Sequence, residues 1–302
     1  MKRTFHLRRL LGTLCVAGTV ASGHVAAQKI VAISSDDTAP YSLAMSGLAR
    51  LNVSVERFQL PADAERAIAA AISRGGRGTA VVAFGAAAAA IAGNVAKDTT
   101  TGLPVVNCMI LDATPASAAS INVPLEIPMD TQAAWIQRLL PRARTVGILF
   151  DPARNELRAS ESAAAMKRAG LVVLSEPVPN PPALPVALQR MQNHVDVVQA
   201  LADPTVYAPE HARALLLFSF RHQIPLVGPT ESWVRAGALF ALDWDYADLG
   251  RYCGALALRQ LAGVKTPPPP PPRTRVVANG RSAEQLRIHW DAQTLQLIDR
   301  VY

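Results

Sequence analysis

The sequence predicts an α/β protein of two similar, Rossmann-like lobes, each a parallel sheet covered by helices on both faces. Three observations predict it. Short apolar runs such as Thr79–Phe84 (TAVVAF) and Thr145–Phe150 (TVGILF) have the length and composition of strands buried on both sides. Each is followed by a turn and a stretch of helical periodicity, and four such β-α units fall within about eighty residues, a pattern that implies a parallel sheet. After a lapse into small residues and prolines between Ala113 and Met129, read as a hinge crossing, the same grammar begins again.

Of the 302 residues, half are apolar and 18% are charged, enough to bury one large core or two ordinary ones. The first 27 residues read as a cleaved leader: Lys2, Arg3, Arg8 and Arg9 flank an apolar core, and Val25-Ala26-Ala27 suits signal peptidase. That core is too short to span a bilayer. The formal charge of +7, less the leader's four basic residues, leaves +3, a poor footprint for nucleic acid. A periplasmic location is therefore expected, with a mature start near Gln28. Cys108 and Cys253, both in apolar runs far apart in sequence, are expected to be separate buried thiols, although export permits a disulfide.

In chain order, Lys29–Ser34 is a strand that runs into the polar loop Ser34-Ser35-Asp36-Asp37 and a helix to about Arg50. Val53–Leu60 is the second strand, with a helix after Pro61, and Thr79–Phe84 the third, with an alanine-rich helix after Gly85. The glycine-rich turn Arg74–Gly78 lacks the Gly-Lys-Ser/Thr ending of a phosphate loop and follows a helix, so it is a solvated turn. Leu103–Leu111 is the fourth strand, and Ile121–Val123 is a short β-like run. Asp130 is expected to cap a helix to Leu140. Strands follow at Thr145–Phe150, Leu171–Leu174, Asp196–Leu201, Pro225–Val227 and Ala238–Leu242, with helices between them. Asp243-Trp244-Asp245 ends the last of these, and an amphipathic helix reaches Leu261. Pro267–Pro272 cannot be helical and reads as an extended surface connector. Thr274–Ala278 is a late strand, and Ser282–His289 and Ala292–Val301 look helical.

The run VRAGALFALDWDYADLGRYCG, a Leu-x-Gly before prolines, VVANGRSAEQLRI and the terminal LIDRVY together resemble the exported substrate-binding proteins of ABC transporters. The family is the one that includes binders of aromatic amino acids. TAVVAFG, LPVVNCMILD, TVGILFDPARN and ADPTVYAPE fall in the order that family uses. The resemblance implies a type I periplasmic binding fold with a multi-strand hinge. Residues 28–124 and 245–272 would form one lobe, and 125–244 and 273–302 the other. The chain departs from the family where a helix usually begins His-Pro-Ala-Leu-Asp: Ser34 to Tyr41 stands there instead.

In that fold the ligand lies between the C-terminal ends of both sheets. Position therefore selects Ser34, Ser35, Tyr41, Gly85, Ala86 and Asp112 from the first lobe, and Asp151, Asn155, Asp203, Thr205 and Thr230 from the second. Asp243 and Asp245 lie at the crossing, where capping and orienting are the expected roles. Ser35 and Gly85 would suit a ligand carboxylate and Asp203 an ammonium, while Trp244 and Tyr41 would supply an aromatic wall. Each Ser or Asp after a strand has an ordinary alternative as a helix cap.

No metal-spaced His, Cys or Asp cluster and no Gly-x-Ser-x-Gly elbow occurs, so neither a metal, a cofactor nor catalysis is expected. The function implied is capture of a small molecule, an amino acid with an aromatic side chain being favoured, for delivery by a monomer to an ABC permease. The competing reading is the same capture presented to a membrane sensor or serving an outer-membrane uptake system.

Overall fold

Lys29–Ser34 (β1) is buried from Ile30 onward, and Thr79–Phe84 (β3) and the later Val105–Ile110 (β4) are buried at every position. A strand buried at nearly every residue has to be covered on both faces, so these three form the interior of a sheet. Ser54–Gln59 (β2) has no fully buried residue and takes the edge. The computed structural model describes residues 28–60, 64–97, 102–110, 120–263 and 267–302. The leader and Asp112 lie outside the described residues.

The first sheet has the order β2-β1-β3-β4-β5, all parallel, with Ser120–Pro124 as β5. The second is built from Thr145–Phe150 (β6), Val172–Pro177 (β7), Val197–Gln199 (β8), Leu226–Gly228 (β9), Phe240–Trp244 (β10), Thr274–Ala278 (β11) and Arg300–Val301 (β12). Its order is β12-β11-β10-β9-β8-β6-β7, parallel except where β11 runs against β10. Two mostly parallel sheets with helices between their strands make this a two-sheet α/β fold. Among the described residues no helix is long and apolar enough to cross a membrane.

Three segments connect the sheets, and they are laced together. After β5 the chain passes through Leu125–Ile127, whose Leu125 carbonyl accepts the Trp244 indole N–H at 2.7 Å. After β10, Asp245 caps the helix Tyr246–Leu261 by accepting the Asp248 N–H at 3.1 Å. The Asp245 N–H in turn donates to the Arg273 carbonyl at 2.9 Å, on the segment that follows the prolines and leads into β11.

The helix Tyr246–Leu261 packs back on the first sheet and against the helix Ala39–Gly47. A Cβ on Gly250 would lie 1.8 Å from the Ala44 carbonyl oxygen, so the two backbones touch only because that side chain is missing.

Three expectations need correction. Cys108 and Cys253 form a disulfide with Cα atoms 6.7 Å apart: β4 and the returning helix are neighbours in space although the two residues are 145 apart in sequence. Ala292–Val301 is helical only over Ala292–Leu295, and Arg300 and Val301 then pair with Val277 and Ala278 as an edge strand. Pairing with the sheet, together with burial of Ile298, overrides the local helical pattern there. Pro128 occupies the N-cap position of the helix Met129–Leu139, which leaves Asp130 in its first turn, paired with Arg168 at 2.8 Å.

Candidate functional site

The short strands β8, β9 and β10 end side by side, and the residues that follow them open onto a cleft of about 410 Å³, ample for a ring-sized solute. Leu125, Glu126 and Ile127 of the first crossing and Tyr246 at the second face it as well. Tyr207, Trp233, Phe240, Trp244 and Tyr246 give the cleft aromatic walls. Tyr207 and Trp233 meet edge to face, with ring centroids 6.0 Å apart. The indole N–H of Trp244 is used on Leu125, which leaves its ring as an apolar surface.

Polar groups in the cleft are few and oriented. Gln132 donates its amide N–H to the Ile127 carbonyl at 2.8 Å, which turns its oxygen toward Gln199. Gln199 Nε2 donates to that oxygen at 2.7 Å and to the Ala200 carbonyl at 2.8 Å. Two acceptors around one end fix the Gln199 amide. Its Oε1, on a residue only 3% exposed, is left without a hydrogen-bond partner.

Three carboxylates line the cleft, and no Lys, Arg or His does so among the described residues. Glu126 pairs with Arg158 at 2.7 Å; burial raises its pKa against the pull of that guanidinium. Burial likewise raises Asp243, opposed by hydrogen bonds from the Tyr246 hydroxyl and the Trp244 N–H and by the charge of Arg275 across the strand pair. Burial, with Asp243 next to it, pushes the Tyr246 phenol up, and burial beside Asp203 does the same to Tyr207.

Asp203 is the third carboxylate, and its oxygens are taken. Oδ2 accepts the Asp151 N–H at 2.7 Å and Asn155 Nδ2 at 2.8 Å, while Oδ1 accepts the N–H groups of Thr205 at 2.9 Å and Val206 at 3.0 Å. The Thr205 hydroxyl returns to Asp151 Oδ2 at 2.7 Å, and Asp151 Oδ1 caps its own helix at Ala153. Asp151, Asn155, Asp203 and Thr205 thus form one knot that ties the loops after β6 and β8, and of the four only Asp203 reaches the cleft.

The remaining residues selected from sequence lie as follows. Thr230 lines the cleft and shares a hydrogen bond with Ser232 at 2.7 Å. Asp245 caps the returning helix. In the first lobe, Ser35 Oγ accepts the Ala88 N–H at 2.9 Å, capping the helix Ala86–Lys97 from another loop. Gly85 has φ +89°, and a Cβ there would sit 2.7 Å from Ser35 Oγ and 2.9 Å from the Tyr41 ring. Ser34 donates to the Asp36 carbonyl at 2.7 Å, and Ser34 and Tyr41 line a separate pocket of about 270 Å³. Tyr41 and Tyr246 pack, partly buried, against the same hydrophobic core.

Glu126, Gln132, Gln199, Tyr207, Trp233 and Tyr246 were not selected from sequence. Gln199 carried a signal, a lone amide closing an apolar strand (VVQ), where burial demands partners.

The ABC transporter substrate binding protein family matches residues 47–301. This chain belongs to that family. Solved structures similar to this substrate-binding protein include an ABC domain from Streptococcus pneumonia in complex with L-Trp, at 20% identity and TM-score 0.56, covering 91% of this chain and 100% of that one. The ligand-free, open form of CD0873, a substrate binding protein with adhesive properties from Clostridium difficile, is 15% identical with TM-score 0.69, covering 91% and 99%. A XylFII–LytSN complex matches at 11% identity and TM-score 0.62, covering 86% and 99%. At these identities the likeness establishes the type I periplasmic binding fold. No curated protein sequence matches the chain.

Proposed function

We propose that this substrate-binding protein captures a small solute bearing an aromatic ring between its lobes and hands it to an ABC permease. The observation that carries the reading is the cleft wall of Tyr207, Trp233, Trp244 and Tyr246 at the ends of β8 to β10, beside the laced crossings. A ring stacked there would be held from the second lobe and the hinge, and closure of the first lobe would complete the loaded form. The aromatic half of the sequence expectation is what this wall supports. Asp203, with four donors on it, serves in this reading as a scaffold for the cleft floor rather than as an ammonium partner.

We also propose that the chain works outside the cytoplasm after removal of its leader, as a monomer and without turnover of its ligand. The Cys108–Cys253 disulfide supports an oxidising compartment.

A second reading, presentation of the loaded form to another protein at the membrane, is motivated by the likeness to XylFII, whose structure is a complex with LytSN. Permease and ATPase genes beside this one favour the importer, and a sensor gene in their place favours the second reading.

The test is a thermal-shift screen against indoles, phenyl compounds, sugars and acyclic acids, since a ligand of the folded state raises the midpoint. Ring compounds are expected to raise it. A rise with sugars or acyclic acids alone would sink the reading.

A further inference from the structure

We infer that the ligand is a ring-bearing amine that carries no carboxylate or phosphate group. The inference rests on the aromatic-capture reading above and adds the charge of what is captured. Two independent observations carry it, the charge of the cleft wall and the unpartnered oxygen of the Gln199 amide.

The charged side chains lining the cleft among the described residues are Glu126, Asp203 and Asp243, all acidic. Glu126 is matched by Arg158 and Asp203 is saturated by four N–H donors. Asp243 has no ion pair within 4.0 Å among the described residues, although Arg275 stands opposite it in the β10–β11 register. An anionic ligand group would enter a wall of carboxylates with no cation among the described lining residues to meet it. An ammonium would meet Asp243 while its ring lay against Trp244, where the aromatic face also favours a cation.

Gln199 points the same way. Had its amide been free to rotate, it could serve a ligand donor or acceptor equally. The relay from Ile127 through Gln132 holds its nitrogen and leaves Oε1, buried and unpartnered, on a residue that lines the cleft. A buried acceptor of this kind is costly unless a donor reaches it, so the ligand should bring an N–H. The first lobe does not restore an anion site, because the Ser35 hydroxyl is spent capping Ala88 and neither Ser35 nor Gly85 lines the cleft.

The experiment is calorimetric titration of the protein with two matched sets, one of tryptamine, L-tryptophan, indole and indole-3-acetate, the other of phenethylamine, L-phenylalanine, toluene and phenylacetate. In at least one set the amine is expected to bind at least about tenfold tighter than the carboxylate, the zwitterion falling between. Asp243→Asn should reduce amine affinity by about tenfold and leave the uncharged ring compound unchanged, which separates lost charge from a damaged fold. Carboxylates that bind as well as amines overturn the inference while aromatic capture stands. If no member of either set binds, aromatic capture falls and the inference falls with it.

Discussion

Gln199 Nε2 donates to Gln132 Oε1 at 2.7 Å, joining the end of β8 to the first helix after the crossing through two buried side chains 67 residues apart. That bond holds the Gln199 amide in place, so the pair should behave as a unit. Gln132→Leu is expected to weaken binding of a ring amine about tenfold, and Gln199→Leu by a similar factor. In the double variant the losses should fall short of adding by about 1 kcal/mol, as read from a double-mutant cycle. Strict additivity would break the link.

Asp203 is the second case. Removing its carboxylate strands four donors, two of them on Asp151 and Asn155, both buried. Asp203→Ala is expected to lower stability in urea by about 3–5 kcal/mol. Asp243→Asn, at a half-buried residue with fewer partners, should change it by less than about 1 kcal/mol. Equal, small effects at both positions would contradict the knot.

Much of this architecture could be read from the chain because an all-apolar run has one easy solution, a strand covered on both faces. β1, β3, β4 and β6 are such runs but for one or two residues each, and the crossings between the sheets were visible as breaks in that grammar. The Cys108–Cys253 bridge was not legible, because nothing local to either residue records that β4 meets the returning helix. β12 was missed because two residues paired on a sheet edge leave no periodicity. In the cleft, position alone singled out Asp203, yet its donors from Asp151 and Asn155 lie 52 and 48 residues away. The Gln132–Gln199 relay escaped for the same reason.

The contact between Gly250 and the Ala44 carbonyl sets the seat of the returning helix on the first lobe. Any side chain there forces two backbones apart. Gly250→Ala is expected to cost about 1–3 kcal/mol by overpacking, despite alanine's better helix propensity, and the loss should appear as a lower urea midpoint. A stabilised variant would mean that the helices are not in backbone contact.

Glu231 sits behind the cleft wall, beside Trp233, and holds the chain's last residue. The Tyr302 hydroxyl hydrogen-bonds it, and Arg235 and Arg300 pair with it at 2.7 and 3.1 Å. That hydrogen bond foremost, then the two guanidinium groups, lowers its pKa. A carboxyl lowered in the folded state contributes stability above its unfolded pKa and loses it as pH falls through the folded value. Between about pH 6 and 3, spanning the usual glutamate range, the wild type should therefore lose its advantage over Glu231→Gln on the acid side. A gap that stays constant, or widens on acidification, would refute this.

The central claim is that Trp233 and Trp244 hold the ring of a captured solute. It is tested most directly by titrating the ring compound that raises the midpoint most into the wild type, Trp233→Ala and Trp244→Leu, with urea midpoints recorded for all three. The dissociation constant is expected to rise at least about tenfold in both variants while each remains folded, as loss of a stacked ring partner requires. Unchanged affinity in both folded variants would place the ligand elsewhere and contradict it.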